Sequence, residues 1–199
     1  TFPALSGGCA IINTNPAEVV VNDNPIVANE SDTICSTNSF AIAPINSGSN
    51  VVPIGTTYTW TNPVISPAGT ITGASAQLIP QTEISQTLIN TTSNVATVTY
   101  TVTPTSGICK GADFKVIITV NPAINPNVVL KNNTCFGINN ATISTSITGG
   151  IPFATGAPYL ISWTGPNGFT SSATSISNLA PGKYDLNITD AGGCPFSDS

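Results

Sequence analysis

The chain has 199 residues, 40% of them apolar and only 7% charged, with a formal net charge of −5 and no histidine. Its four cations, Lys110, Lys115, Lys131 and Lys183, are scattered and there is no arginine, so the clustered charge that nucleic-acid binding needs is missing. The apolar content is too high for a disordered chain, no run approaches the 18 apolar residues of a membrane span, and no export signal is legible.

In chain order, "EVVV" (18–21), "TTYTW" (56–60), "ATVTYTVTP" (96–104), "FKVIITV" (114–120), "ATISTSI" (141–147), "YLISW" (159–163) and "KYDLNIT" (183–189) read as half-buried strands. Val98, Tyr100 and Val102 share one face while Thr97, Thr99 and Thr101 share the other; Tyr184, Leu186 and Ile188 alternate in the same way. Between these runs, "NPVISPAG", "TPTSG", "TGG" and "APGK" have the proline and glycine of turns. The stretch "SAQLIPQTEISQTLIN" (75–90) has some helical spacing, but Pro80 interrupts it and a strand pair or loop is expected instead. No segment reads convincingly as a helix.

The landmarks repeat. Cys9 and Cys35 are 26 positions apart, as are Cys109 and Cys135, and the second pair follows the first by 100. Cys35, Trp60 and Cys109 are followed in the same order by Cys135, Trp163 and Cys194. A cysteine, tryptophan, cysteine order over this length fits an immunoglobulin-like sandwich, in which the indole packs on an inter-sheet bridge. In "NLAPGKYDL" (178–186), Tyr184 is spaced as a tyrosine corner. The fold expected is all-β, with immunoglobulin-like β-sandwiches in tandem: residues 1–24 as the tail of a preceding repeat, 25–124 as one sandwich and 125–199 as a second, truncated at its C-terminal end.

Five cysteines without a CxxC or a histidine do not suit zinc, and point to disulfides in an oxidising, extracellular setting. Glycine-rich turns precede three of them, in "LSGGCA", "TSGICK" and "DAGGCP". Two pairings are open: Cys35 with Cys109 and Cys135 with Cys194, or Cys9 with Cys35 and Cys109 with Cys135. The first is favoured because its larger loops gain more in the chain-entropy model, roughly 4 kcal/mol each. It leaves Cys9 for a neighbouring domain. It also lets tension bypass residues 36–108 and 136–193, so that only linkers stretch.

The segment 135–194, "CFGINNATISTSITGGIPFATGAPYLISWTGPNGFTSSATSISNLAPGKYDLNITDAGGC", resembles a SprB repeat, the module of flavobacterial gliding-motility adhesins. It carries the Cys-x-Gly start, the Gly-Gly, the Tyr-x-x-x-Trp strand, the Pro-Gly-x-Tyr corner and the Thr-Asp-x-x-Gly-Cys end. Residues 25 to about 124 resemble the PKD-like domain of the same proteins through "SDTICS", "TTYTWTNP", "ISQTLIN" and "VTYTVTPTSGICKGADFKVIITVNP". The resemblance implies a very large adhesin on the cell surface, exported by the type IX system and moved by the gliding machinery, with neighbouring repeats of the same chain as partners.

Catalysis is not expected, because a Ser or Cys nucleophile has no histidine base and the nine carboxylates show no acid and base pairing. Carbohydrate binding is the rival function, with a surface polysaccharide as ligand. Trp60 and Trp163 would be its platforms, but their place in alternating strands argues for the core; Phe153 and Phe169, in Gly- and Pro-rich loops, are the better sugar contacts. Asp23, Glu30 and Asp32 in "VNDNPIVANESD" are weak calcium candidates, since the second linker has no acid; no other cofactor is indicated. Asp190 is expected to cap its own Gly-Gly turn. Thr33 in "SDTI" is a candidate for O-glycosylation, and Lys115 for an isopeptide crosslink if it is buried.

Overall fold

The computed structural model describes residues 8–12, 19–135 and 138–199. Among the described residues there is no α-helix, only strands and one 3-10 turn at Pro166–Gly168. The chain divides into two compact units. The first takes residues through Ile34, Asn38–Ile89 and Ala96–Val120; the second takes Cys35–Thr37, Asn90–Val95 and Asn121–Ser199.

The first unit is organised around the strand Ala96–Ser106, whose Ala96, Val98, Tyr100 and Val102 are all buried. Alternation of threonine with apolar residues sends every second side chain into the core, which is why this segment takes a central position. Strand order in its sheet is Glu30–Cys35, Phe114–Asn121, Ala96–Ser106, Thr57–Trp60, Gln77–Gln81. Phe114–Asn121 runs antiparallel to it from Ala96 opposite Val120 to Val102 opposite Phe114. On the other side, Thr57–Trp60 takes one end and Val64–Ser66 the other. The strand pairs Ser39–Ile42 with Ile84–Thr87, and Ile71–Thr72 with Ile89–Asn90, complete the sandwich.

Aromatic rings fill the space between layers. Phe40 lies 5.5 Å from Tyr100, Trp60 meets Tyr100 edge-on at 6.2 Å, and Tyr58 meets Phe114 edge-on at 6.2 Å. Burial of each ring contributes on the order of 2–3 kcal/mol. Their polar tips find partners: Tyr100 Oη donates to Gln86 Oε1 at 2.9 Å, and Trp60 Nε1 and Gln86 Nε2 both donate to the Ser75 carbonyl. Burial raises the Tyr100 hydroxyl pKa far above the usual tyrosine value and raises that of Tyr58 as well.

Of two proline-containing stretches, one departs from the sequence reading and the other follows it. "TPTSG" is not a turn as a whole: the strand continues through Pro104, opposite Tyr58, to Ser106, and reverses only after it. The Pro104 carbonyl is satisfied by Gly111 N–H. The ambiguous stretch 75–90 forms strands, with Pro80 inside Gln77–Gln81. That strand ends the sheet path, where a missing N–H breaks no ladder.

The second unit packs two smaller sheets, in the orders Val128–Lys131, Ala141–Thr145, Ser175–Leu179 and Thr170–Ser171, Leu160–Thr164, Asp185–Thr189, Pro195–Asp198. Ile143, Ile176 and Leu179 come from one sheet, Trp163, Leu186 and Ile188 from the other, and together they form its core. Trp163 stands opposite Leu186, and its Nε1 donates to the Ala173 carbonyl at 3.0 Å. The pair Ile124–Asn125 with Thr148–Gly149 closes one end.

Near the start of the chain, Gly8–Ile12 and Val19–Asp23 pair antiparallel. Cys9 stands opposite Asn22 there, and its side chain lies outside the described part of the molecule. The expectation that residues 1–24 are the tail of another domain falls largely outside the described residues too.

Candidate functional site

The disulfide does not follow either pairing expected from the spacing. Cys35 is bonded to Cys194, 159 positions away, with their Cα atoms 5.6 Å apart. Spacing alone assigns each sandwich its own two cysteines, and that assignment fails because Cys35–Thr37 belongs with the second compact unit, where Cys194 lies. Cys109 is buried and Cys135 exposed, and neither is bonded to Cys35 or Cys194.

The bond is seated on a network built from uncharged groups and one carboxylate. Asp190 is 1% exposed; its Oδ1 accepts the Cys194 N–H at 2.8 Å and its Oδ2 accepts the Ile151 N–H at 2.7 Å. Ala191 N–H donates to the Ile151 carbonyl, and Gly193 N–H to the Asp190 carbonyl, completing a tight turn. Asp190 thus caps its own turn and ties it to the 150–151 loop. A Cβ at Gly150 would come within 2.9 Å of Asp190 Oδ2, and Gly150 has φ +63°, so only glycine lets the carboxylate approach.

Asn121 holds the other side. Its side-chain amide points at Cys194 Sγ at 4.0 Å, and a Cβ at Gly192 would stand 2.6 Å from the same nitrogen. Asn121 also accepts the Ser36 N–H on its carbonyl at 2.9 Å. Ser36 Oγ in turn donates to the Asn90 carbonyl and accepts the Asn90 N–H. Asn90 Nδ2 reaches the Asn94 carbonyl and its Oδ1 takes the Thr92 N–H and hydroxyl. The Ser36, Gly193 and Cys194 N–H groups beside the two sulfurs therefore all have protein acceptors. Sequence spacing did not point to Ser36, Asn90 or Asn121; the one signal for them is that small polar residues directly follow a cysteine or a strand.

Tyr184 Oη donates to the Ala180 carbonyl at 3.1 Å, the bond of a tyrosine corner. Its half-buried ring meets Phe169 edge-on at 5.4 Å. Phe169 is packed against the core of its unit and is not a free platform; Phe153 is half-buried. Trp60 and Trp163 are 3% and 2% exposed, so neither indole offers a face to a sugar.

Asp23 and Asp32 are exposed and Glu30 half-buried; Asp32 Oδ1 accepts the Thr33 N–H. These acids do not converge, and among the described residues no group of three or more His, Cys, Asp or Glu side chains is placed to hold a metal. Thr33 is exposed on the strand Glu30–Cys35. Lys115 is exposed too, on the outer face of its strand, which removes it as a buried isopeptide donor. No helix among the described residues is long and apolar enough to cross a membrane.

Residues 32–124 match the PKD-like domain family. Among solved structures, the chain is similar to the crystal structure of the chicken CNTN1 FN1–FN3 domains, at 10% identity and a TM-score of 0.35, covering 94% of this chain and 70% of that one. It is also similar to the N-terminal four Ig domains of Dscam1 isoform 8.4, at 11% identity and a TM-score of 0.27, covering 98% of this chain and 46% of that one. No curated protein matches the chain. A PKD-like, immunoglobulin-like sandwich and a disulfide fit modules of extracellular type, and such modules are generally non-catalytic.

Proposed function

We propose that the chain is a load-bearing segment of a large cell-surface adhesin of the SprB gliding-motility type, a spacer or presenter of an adhesive tip that carries out no catalysis. On this reading it is exported by a type IX system, its partners are neighbouring repeats and the gliding machinery, and it needs no cofactor. A surface polysaccharide would be held by the tip, because the indoles of this segment are buried.

The observation that carries the reading is the Cys35–Cys194 bond. Tension arriving at Cys35 passes through two sulfur atoms and leaves at Cys194, so residues 36–193 carry none of it. This differs from two local staples, in which the stretch between sandwiches would extend; here that stretch lies inside the bypass. Hydroxyl and amide side chains, with few charges, keep such a filament hydrated and weakly sensitive to salt.

Single-molecule stretching of the full chain between its termini tests the reading. In oxidant the hidden segment should contribute nothing; in reductant the contour should lengthen by about 550 Å, from 159 positions at about 3.5 Å each. Equal extensions in the two conditions would remove load bearing by this bond.

A further inference from the structure

Cys35 and Cys135 hold the same place in the two halves of the sequence, 100 positions apart, each ahead of the strand bearing Trp60 or Trp163, with one strand between in the first half and two in the second. Their fates differ. Cys35 is bonded to the cysteine of a glycine turn, whereas Cys135 is exposed with a free thiol. In the first half, the loops at this end, Cys35–Thr37 and Asn90–Val95, belong to the compact unit that contains that turn. In the second half Cys135 and the loop Ala180–Tyr184 line an open cavity of about 890 Å³.

Apolar and polar residues share the walls of this cavity, with Asn132, Asn133 and Lys183 among the polar ones. Leu130, Ile143 and Leu179 line it beside the thiol. The strand Val128–Lys131 at its mouth is paired on one side only, with Ala141–Thr145, and its Val128, Val129 and Leu130 are 45%, 64% and 59% exposed. Edge strands are normally blunted by charge or covered; Lys131 puts a charge at the end of this one, and the three consecutive exposed aliphatic residues before it, beside the cavity, mark a surface built to be covered.

We propose that Cys135 and this cavity receive the glycine-turn cysteine of a further module of the same kind, joined after this one, so that modules are bonded in overlap. Cys135 would pair with the last cysteine of the module that follows, as Cys35 does with Cys194. The inference rests on reading the chain as a segment of a tandem array. Bond formation requires a disulfide oxidant such as oxidised glutathione. The Cys135 thiolate attacks it and expels one glutathione thiolate; the incoming cysteine thiolate then attacks the Cys135 sulfur and expels the second. Two thiols lose two protons and two electrons, and one oxidised glutathione becomes two reduced molecules.

The test extends the full chain after Ser199 with a second copy of residues 121–199, oxidises it in glutathione buffer and maps unreduced peptides. The expected result is a peptide pair joining Cys135 to the added copy's counterpart of Cys194, with Cys35–Cys194 retained and alkylation of Cys135 slowed by about tenfold or more. Leu130→Lys, on an exposed position, should slow formation of the new bond several-fold while leaving Cys35–Cys194 intact. If the extended chain does not fold, the unextended chain is mixed with a Cys35→Ser, Cys135→Ser chain whose Cys194 lacks its partner; a Cys135 to Cys194 crosslink is expected. Cys135 remaining fully alkylated, or joining a second Cys135, overturns the proposal. Those outcomes leave the load-bearing reading standing, whereas absence of Cys35–Cys194 from the unextended chain would remove that reading itself.

Discussion

Asp190 accepts the main-chain N–H of Cys194 at 2.8 Å while its other oxygen accepts that of Ile151 at 2.7 Å, so one buried carboxylate positions the turn that delivers the sulfur. Asp190→Ala leaves the buried Cys194 N–H and the half-buried Ile151 N–H without an acceptor and should cost about 2–3 kcal/mol, with Asp190→Asn costing less because one acceptor remains. Urea unfolding read through Trp163 fluorescence in a Trp60→Phe background measures both. The fraction of chains with Cys35 and Cys194 bonded should fall in the same order.

Cys35→Ser and Cys194→Ser should destabilise the chain alike, by about 5 kcal/mol for a closed loop of 159 positions in the chain-entropy model. A reductant added to the unsubstituted chain should reproduce the shift in unfolding midpoint and have no further effect on either variant.

At the other end of the second unit, Tyr184→Phe removes the bond to the Ala180 carbonyl and should cost about 1 kcal/mol. Phe169→Ala removes a half-buried ring and its edge-on contact with Tyr184 and should cost about 2 kcal/mol. Thermal unfolding of the two variants checks the ranking.

Tyr100 gives the first unit an alkaline weakness. Its folded pKa lies above its unfolded value, so the folded state keeps the proton while the unfolded state releases it. The stability this reflects is whole below about pH 10 and declines as pH rises beyond it, by up to about 1.4 kcal/mol per pH unit. Tyr100→Phe should flatten the decline above pH 10 while costing about 1 kcal/mol near neutrality, since Gln86 Oε1 loses a donor. Denaturant midpoints between pH 8 and 11 show both effects.

The strands were legible because period-2 alternation is written into the residues themselves: Val98, Tyr100 and Val102 are buried and Thr101 between them is exposed. Pro104 misled because a proline at one position of a long strand looks like a turn, whereas its partners on the neighbouring strands settle the matter. The disulfide was not legible. Cysteine spacing records distance along the chain, and Cys35 meets Cys194 through contacts of Ser36, Asn90 and Asn121 that no local pattern announces. Phe169 looked like a loop residue because the turn Pro166–Gly168 precedes it, yet the turn returns the ring to the core.

Mass spectrometry of unreduced peptides from the oxidised chain tests the central claim most directly. The account predicts a crosslinked pair containing Cys35 and Cys194, lost on reduction. Recovery of Cys35 with Cys109 and of Cys135 with Cys194 would contradict it.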